Sequence, residues 1–458
     1  MKSNIIFFPG NKQPDNMKLF LESSRLGTVD VLLPNPKILS NWHKSEHEAL
    51  DINSFFNIET FSDIEISESS KLKYTETMKE LLSDSRTFFL MERIFRFERQ
   101  NSIFNISGDL SIFVLNTFKY IQVKDPKFVV CFSTPHHLSW YFSYCSEKLG
   151  VRVIYTQSSP IPFKRWIVEG IQNPKNILLK GEPSEKKLNE WIDKLQSSYD
   201  EAIPEYEKNR NNTFKLGDRN IISNLKDILF KSTNNSFRYN KIINLKSKLN
   251  TLKLYEDLSF KGSLPQNFIV FFMHYQPERT SLPEGREYAQ QMNIILDLHL
   301  NLPKGYDLII KEHPSMFRNM FNKRVRSNKF YKNIAGLRNV KIAPLSFESF
   351  DLIDHSKGVV TITGTVGIEA LLRNKPILVY GDAQYLKFDF AFEQKVMQQK
   401  EQFFKNLGFE YTDKVISRST INSLNEADNN SFPLEKSAIS LNALQAYIDL
   451  ETEPRDEG

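Results

Sequence analysis

Gly358-Val-Val-Thr-Ile-Thr-Gly-Thr-Val-Gly-Ile-Glu-Ala-Leu-Leu-Arg-Asn-Lys-Pro-Ile-Leu-Val-Tyr-Gly381 reads as strand, glycine turn, helix and strand, with its polar residues concentrated at the turn. Val359 to Ile362 is a short β-branched run of the kind that forms buried strands. Strand, helix and strand in that order make a parallel pair, and parallel sheets bind their ligands beyond the carboxyl ends of the strands. At such a turn Thr363-Gly364-Thr365 would offer backbone N–H groups and two hydroxyls to an anion, at the start of a helix whose dipole favours negative charge. Glu369 falls one turn further on the same face, where a carboxylate can accept hydrogen bonds from a ribose diol. The competing account is an αβ crossover that binds nothing.

Working outward, Phe268-Ile-Val-Phe-Phe-Met273, Asp307 to Lys311 and Val340 to Ile342 read as further strands of the same unit. Helices are expected over Tyr288 to Leu300 and Phe347 to His355. Two of these strands also end in polar clusters. The first cluster is His274-Tyr275-Gln276-Pro277-Glu278-Arg279-Thr280 and the second is Lys311-Glu312-His313-Pro314. If the strands are parallel, both clusters meet the Thr363 turn along one edge. Pro314 lacks an N–H and restricts His313 to an extended backbone, at the lip of the crevice, where the imidazole can donate to a phosphate oxygen as charge develops on a leaving nucleotide. Glu278 supplies a carboxylate for proton handling, and Arg279 a cation for diphosphate-like charge; the same two side chains would also serve as a surface ion pair. No Gly-x-x-x-x-Gly-Lys-Ser/Thr and no Gly-x-Gly-x-x-Gly occurs, which removes support from P-loop hydrolysis and dinucleotide redox chemistry.

The first half repeats the pattern. Asn4 to Phe8, Val29 to Leu33, Lys127 to Ser133 and Val151 to Gln157 read as strands, with a helix from His136 to Leu149 between the last two. Ser133-Thr-Pro-His-His137 follows one strand and opens that helix, and Gln157-Ser-Ser-Pro-Ile-Pro162 follows the next. His136 and His137 point in different directions on a helix start, so a joint metal site is not expected; His136 is the candidate base or acceptor ligand. His43 and His47 have i, i+4 spacing without the His-Glu-x-x-His pattern and read as a solvated helix face.

A chain of 458 residues exceeds the roughly 250–300 residues at which single cores stop growing, so two α/β domains are expected. No apolar run approaches the roughly 18 residues that span a bilayer, and the run at Ile5 to Phe8 is too short for a signal peptide. A cytoplasmic protein follows from that reading. Cys131 and Cys145 give neither a disulfide framework nor a zinc site and are expected as buried free thiols. The net charge of +5 is too mild for a nucleic-acid binder, although it would let a soluble enzyme rest on an anionic membrane leaflet.

Met273-His-Tyr-Gln-Pro-Glu-Arg-Thr280, Ile310-Lys-Glu-His-Pro314 and Thr361-Ile-Thr-Gly-Thr-Val-Gly-Ile-Glu-Ala370 with Lys375-Pro376, in that order, resemble the bacterial capsule polysaccharide biosynthesis family, which includes Kdo transferases. The His-Pro step and hydroxyl-rich turn also resemble bacterial sialyltransferases and the polymerases that use CDP-glycerol. The resemblance implies a GT-B architecture: two Rossmann-like domains facing across a cleft, with the nucleotide sugar in the second and the acceptor mainly in the first. Domains are drawn at 1–205 (acceptor), 206–265 (helical connection), 266–430 (donor) and 431–458 (last helix and tail).

It further implies a glycosyltransferase that moves a CMP-activated, Kdo-like or sialic-acid-like sugar to a growing polysaccharide, needing no metal and no cofactor beyond that substrate. His313, Thr363, Thr365 and Glu369 are carried over as donor ligands, and Gln276, Arg279, Lys311 and Gly364 join them by position. An oligosaccharide or lipid-linked glycan is the implied acceptor, with peripheral contact to the inner membrane or to other capsule-assembly proteins. The Asp/Glu-Asp-Gly base motif of bacterial sialyltransferases has no unambiguous counterpart in the first domain, which leaves the catalytic base and the stereochemical outcome open; Glu278 and His136 are the catalytic candidates. Three alternatives stand beside this: a CDP-alcohol phosphotransferase, a nucleotide-sugar epimerase or hydrolase, and a non-enzymatic nucleotide-binding factor in polysaccharide export.

Overall fold

The computed structural model describes residues 5–9, 29–33, 48–87, 90, 106–135, 138–161, 164–177, 184–197, 249–276, 281–318, 326–407, 409 and 414–433. The chain divides into two compact units, Met1–Glu185 with Leu424–Gly458, and Lys186–Ser423.

In the first unit the strands are β1 (Ile5–Phe8), β2 (Val29–Leu33), β3 (Glu48–Asp51), β4 (Phe128–Cys131), β5 (Arg152–Ser158), β6 (Lys164–Glu169) and β7 (Lys175–Ile177), joined by β14 (Phe432–Pro433) from the far end of the chain. Their order is β14-β6-β5-β4-β1-β2-β3, with β7 beside β6. The five strands from β3 to β5 are parallel, and β6 runs antiparallel to β5, β7 and β14. Every residue of β1, β2 and β4 is buried, as expected of strands covered on both faces. Helices Ile106–Lys124 and Leu138–Lys148 contribute the aromatic packing in which Phe55 meets Phe113, Tyr120 and Phe142 at 5.3–5.9 Å between ring centroids. Asp30, an acid inside β2, is paired with Lys124 at 2.9 Å and accepts a hydrogen bond from the Tyr120 hydroxyl at 2.7 Å. Both cysteines are free and buried, and burial pushes the Cys131 thiol up to about 12.

The second unit is the simpler one. Its strands are β8 (Phe268–Phe272), β9 (Asp307–Lys311), β10 (Val340–Ile342), β11 (Gly358–Thr361), β12 (Ile377–Val379) and β13 (Ala391–Glu393), in the order β10-β9-β8-β11-β12-β13. All pairings in this sheet are parallel. Numbered within the unit the order is 3-2-1-4-5-6, that of a Rossmann sheet. Helices Gln291–Asn301, Asn328–Ala335 and Met397–Asn406 supply Ile294, Leu298, Tyr331, Ile334 and Phe403 to a core that also takes Ile269, Phe271, Leu308, Ile310, Val360 and Leu378 from the strands.

The expected α/β class with two Rossmann-like units is what the chain forms. Several elements differ in detail. The antiparallel strands β6 and β7 and the edge strands β3 and β13 had no counterpart in the sequence reading. The helix expected from Tyr288 begins at Gln291, after a 3-10 turn at Arg286–Ala289. The division between units falls at Glu185 and Ser423, against the 205 and 430 drawn from the sequence. Helix Glu185–Gln196 packs in the second unit, where Arg373 Nη1 donates to the carbonyls of Leu195 (2.7 Å) and Ser197 (3.0 Å). Asp428 instead binds Lys164 and Ser184 of the first. Of the connection placed at 206–265, residues 206–248 lie outside the described residues, as do His43, His47 and residues 434–458, where the last helix and tail are expected. Among the described residues no helix is long and apolar enough to cross a membrane.

Candidate functional site

Chain order reverses between β8 and β11, which are neighbours in the second sheet although residues 273–357 separate them in sequence. A Rossmann sheet binds its ligands at this switch point, outside the carboxyl ends of the strands. His274, Tyr275 and Gln276 leave β8 there, Glu312 and His313 leave β9, and Ile362 to Thr365 leave β11. All three clusters therefore lie along one edge of one parallel sheet.

His274 joins two of them directly. Its Nε2 lies 3.0 Å from Thr361 Oγ1 and accepts the backbone N–H groups of Ile362 and Thr363, each at 3.3 Å. Because Nε2 accepts those N–H groups it carries no proton, and the Thr361 hydroxyl donates to it. Thr361 Oγ1 in turn accepts the N–H of Gly364 at 3.1 Å. Burial, with the His313 and Arg326 charges nearby, lowers the pKa of His274 to about 3. The N–H groups of Ile362, Thr363 and Gly364 are thus turned inward, which corrects the expectation of an anion contact for the amides of Thr363 and Gly364. Of the two threonines of the turn, Thr363 is half-buried and Thr365 exposed. On the other side of the turn, the Tyr385 hydroxyl donates to the Gly364 carbonyl at 2.5 Å. A Cβ on Gly367 would stand 2.6 Å from the Tyr385 ring, so only glycine admits this packing.

A buried ion pair connects the Lys311–Pro314 cluster to them. Glu312 and Arg326, 0% and 4% exposed, meet at 2.9 Å. The Glu312 carboxylate also accepts from Tyr331 Oη (2.7 Å) and from the N–H of His313 (2.8 Å). Arg326 donates from Nη1 to Gln276 Oε1 (3.0 Å) and from Nη2 to the His274 carbonyl (3.3 Å), and lies 4.7 Å from the centre of the Phe330 ring. Charges buried this deeply persist only when paired and hydrogen-bonded, and here the pairing holds the ends of β8 and β9 together.

The sequence candidates fall into three groups. His313 is half-buried with its ring 5.9 Å from that of Tyr275, and with Thr363, Gly364 and Thr365 it occupies the switch-point edge. Glu369 is buried behind Thr365, whose hydroxyl donates to it at 3.5 Å.

Lys311 and Gln276 form the second group, and their expected contact with a ligand is corrected. The Lys311 ammonium donates to the carbonyls of Pro344 (2.8 Å), Leu345 (2.9 Å) and Phe347 (2.8 Å), which uses all three protons. Gln276 is buried between Arg326 and the Ala289 carbonyl. Both residues shape the edge from within.

Glu278, Arg279 and His136 make up the third group and lie outside the described residues. Among the described residues no cluster of three His, Cys, Asp or Glu side chains is placed to hold a metal ion. Sequence reasoning missed His274, Arg326 and Tyr385 as organisers of the site. Only His274 had a signal, its place at a strand end; the partners of the other two are distant in sequence.

Residues 286–405 match the family model described as capsule polysaccharide biosynthesis protein. The match contains the His313 and Thr363 clusters and begins after the His274 cluster. The capsule polysaccharide export protein KpsS of Escherichia coli is 32% identical over 111 residues, which cover 23% of this chain and 26% of that protein. The chain thus aligns with about a quarter of the length of this curated relative. Among solved structures, the β-Kdo 2,7 transferase of Thermosulfurimonas dismutans KpsC is 13% identical with a TM-score of 0.31, covering 78% of this chain and 95% of its own. UDP-GlcNAc 2-epimerase of Methanocaldococcus jannaschii is 12% identical with a TM-score of 0.24, covering 98% and 100%. Likeness at these scores carries no chemistry, and the fold stands on the strand order. The resemblance to the capsule polysaccharide biosynthesis family holds over the matched segment.

Proposed function

We propose that this chain is a glycosyltransferase of capsule polysaccharide assembly that binds a nucleotide sugar at the β8–β11 switch point of its second unit. The observation that carries this reading is the position of His313 and the Thr363–Thr365 turn at the carboxyl edge of a 3-2-1-4-5-6 parallel sheet, inside the segment that matches the capsule family. In this account His313 donates to a donor phosphate oxygen as charge develops on the leaving nucleotide, and the Thr363 and Thr365 hydroxyls fix the same phosphate. Glu369, behind Thr365, orients the ribose. Glu278 handles the proton, Arg279 balances the departing charge, and His136 of the first unit acts on the acceptor. The donor is a CMP-activated Kdo-like or sialic-acid-like sugar and the acceptor a growing glycan. Catalysis needs no metal and takes place at the cytoplasmic side, against the membrane.

The test is product analysis with CMP-Kdo, CMP-sialic acid and UDP-sugars, each with and without an oligosaccharide acceptor, in the presence of EDTA. Extension of the glycan with one CMP-sugar, insensitive to EDTA, is the expected result. Epimer or free sugar formed without acceptor would replace the transferase by an epimerase or hydrolase. A second reading is favoured by the name of the curated relative, an export protein: a factor that binds nucleotide without turnover. Binding with no product from any donor would establish it.

A further inference from the structure

We infer that His274 is the positioning residue of the hydroxyl turn, its Nε2 drawing the Thr361 hydroxyl and the Ile362 and Thr363 amides inward. The imidazole is suited to this because its own backbone is fixed twice. Gln291 accepts the His274 N–H at 2.9 Å and donates to its carbonyl at 3.0 Å, and Arg326 donates to that carbonyl at 3.3 Å. The nitrogen therefore stands at a fixed point beside β11, and the chain leaving β11 folds around it. Gly364 completes the fit: a Cβ there would stand 3.0 Å from Thr361 Oγ1 and 3.1 Å from His274 Nε2. Tyr385 holds the Gly364 carbonyl from the opposite side. The amides of Ile362, Thr363 and Gly364 are occupied by this hold and are not offered to an anion. That consequence for binding rests on the nucleotide-sugar reading; the hold on the turn does not.

Two measurements on the full-length protein separate these levels. In the first, amide hydrogen exchange is followed over residues 361–364 at neutral pH. His274→Phe fills the space without an acceptor and is expected to speed exchange there about tenfold, the loss of roughly one hydrogen bond's net free energy. His274→Gln places a carbonyl oxygen near the Nε2 position and is expected to restore protection. Thr361→Val removes the hydroxyl that joins Nε2 to the Gly364 N–H and is expected to speed exchange at Gly364, which keeps the test open should His274→Phe fail to fold. In the second, CMP, UDP and GDP are titrated by calorimetry. A nucleotide that binds the wild type should bind His274→Phe about tenfold more weakly and His274→Gln nearly normally, in line with the single lost interaction. Full protection of the turn in both His274→Phe and Thr361→Val, or no rescue by His274→Gln, would overturn the inference. No nucleotide binding by the wild type would overturn the functional reading and leave exchange to decide the role of His274.

Discussion

At the scale of single residues the governing fact is that His274 has no use for a second proton. Its Nε2 already accepts from the amides of Ile362 and Thr363, and its pKa in the folded chain is held at about 3, against about 6.5 for an ordinary histidine. Between those two values the unfolded chain binds a proton that the folded chain does not. The stabilising contribution is therefore complete above pH 6.5 and is lost as pH falls toward 3, at up to ~1.4 kcal/mol per pH unit. Urea unfolding at pH 7 and pH 4.5 should show a larger loss for the wild type than for His274→Gln; equal losses would place the titrating group elsewhere. Gly367 gives a second prediction at this scale. Alanine there must displace the Tyr385 ring, an overpacking that costs roughly 1–3 kcal/mol and should appear as a lower melting temperature. Thr363, Gly364 and Thr365 were legible as a turn from their residue types. The inward direction of the amides was not, because the acceptor that sets it comes from His274, 88 and 89 positions away.

At the scale of elements, a lysine at the end of a strand suggests a phosphate ligand, and Lys311 shows how packing changes that meaning. Its ammonium joins the end of β9 to the segment after β10 through the carbonyls of Pro344, Leu345 and Phe347. Lys311→Met should therefore lower stability by roughly 2–4 kcal/mol, since three carbonyls lose a charged donor, and leave nucleotide affinity of the folded protein unchanged. Calorimetric titration of the folded variant checks this; a ligand role would produce the reverse pattern. The Glu312–Arg326 pair behaves likewise. Arg326→Met strands a buried carboxylate and should cost about 3–5 kcal/mol, part of which returns when Glu312→Gln is added, by denaturant unfolding of the single and double variants. Strands β8, β9 and β11 were legible because each is a near-continuous apolar run, as a strand buried on both faces must be. Strand β6 was not. Lys164 and Arg165 give it the look of a loop, and only the partner at Asp428 explains a lysine 1% exposed.

At the scale of the whole molecule, the chain visits its first unit twice, and the return is fastened by that same pair. Lys164 meets Asp428 at 2.9 Å, Ser184 donates its N–H to Asp428 at 2.7 Å, and β14 pairs with β6. Two Rossmann-like units were legible from length and from two series of strands. The return was not, because contacts 244 and 264 residues apart leave no local pattern. The functional claim rests on the second unit, and one measurement reaches it most directly: thermal unfolding of the full-length protein with CMP, CDP, UDP, GDP or ADP, repeated on His313→Ala. A ligand at 100 times its dissociation constant stabilises the folded chain by about 2.7 kcal/mol. The predicted result is stabilisation by cytidine nucleotides that disappears in His313→Ala while the variant's own melting temperature stays near that of the wild type. No stabilisation by any nucleotide, or an equal shift in His313→Ala, would contradict a donor site at this switch point.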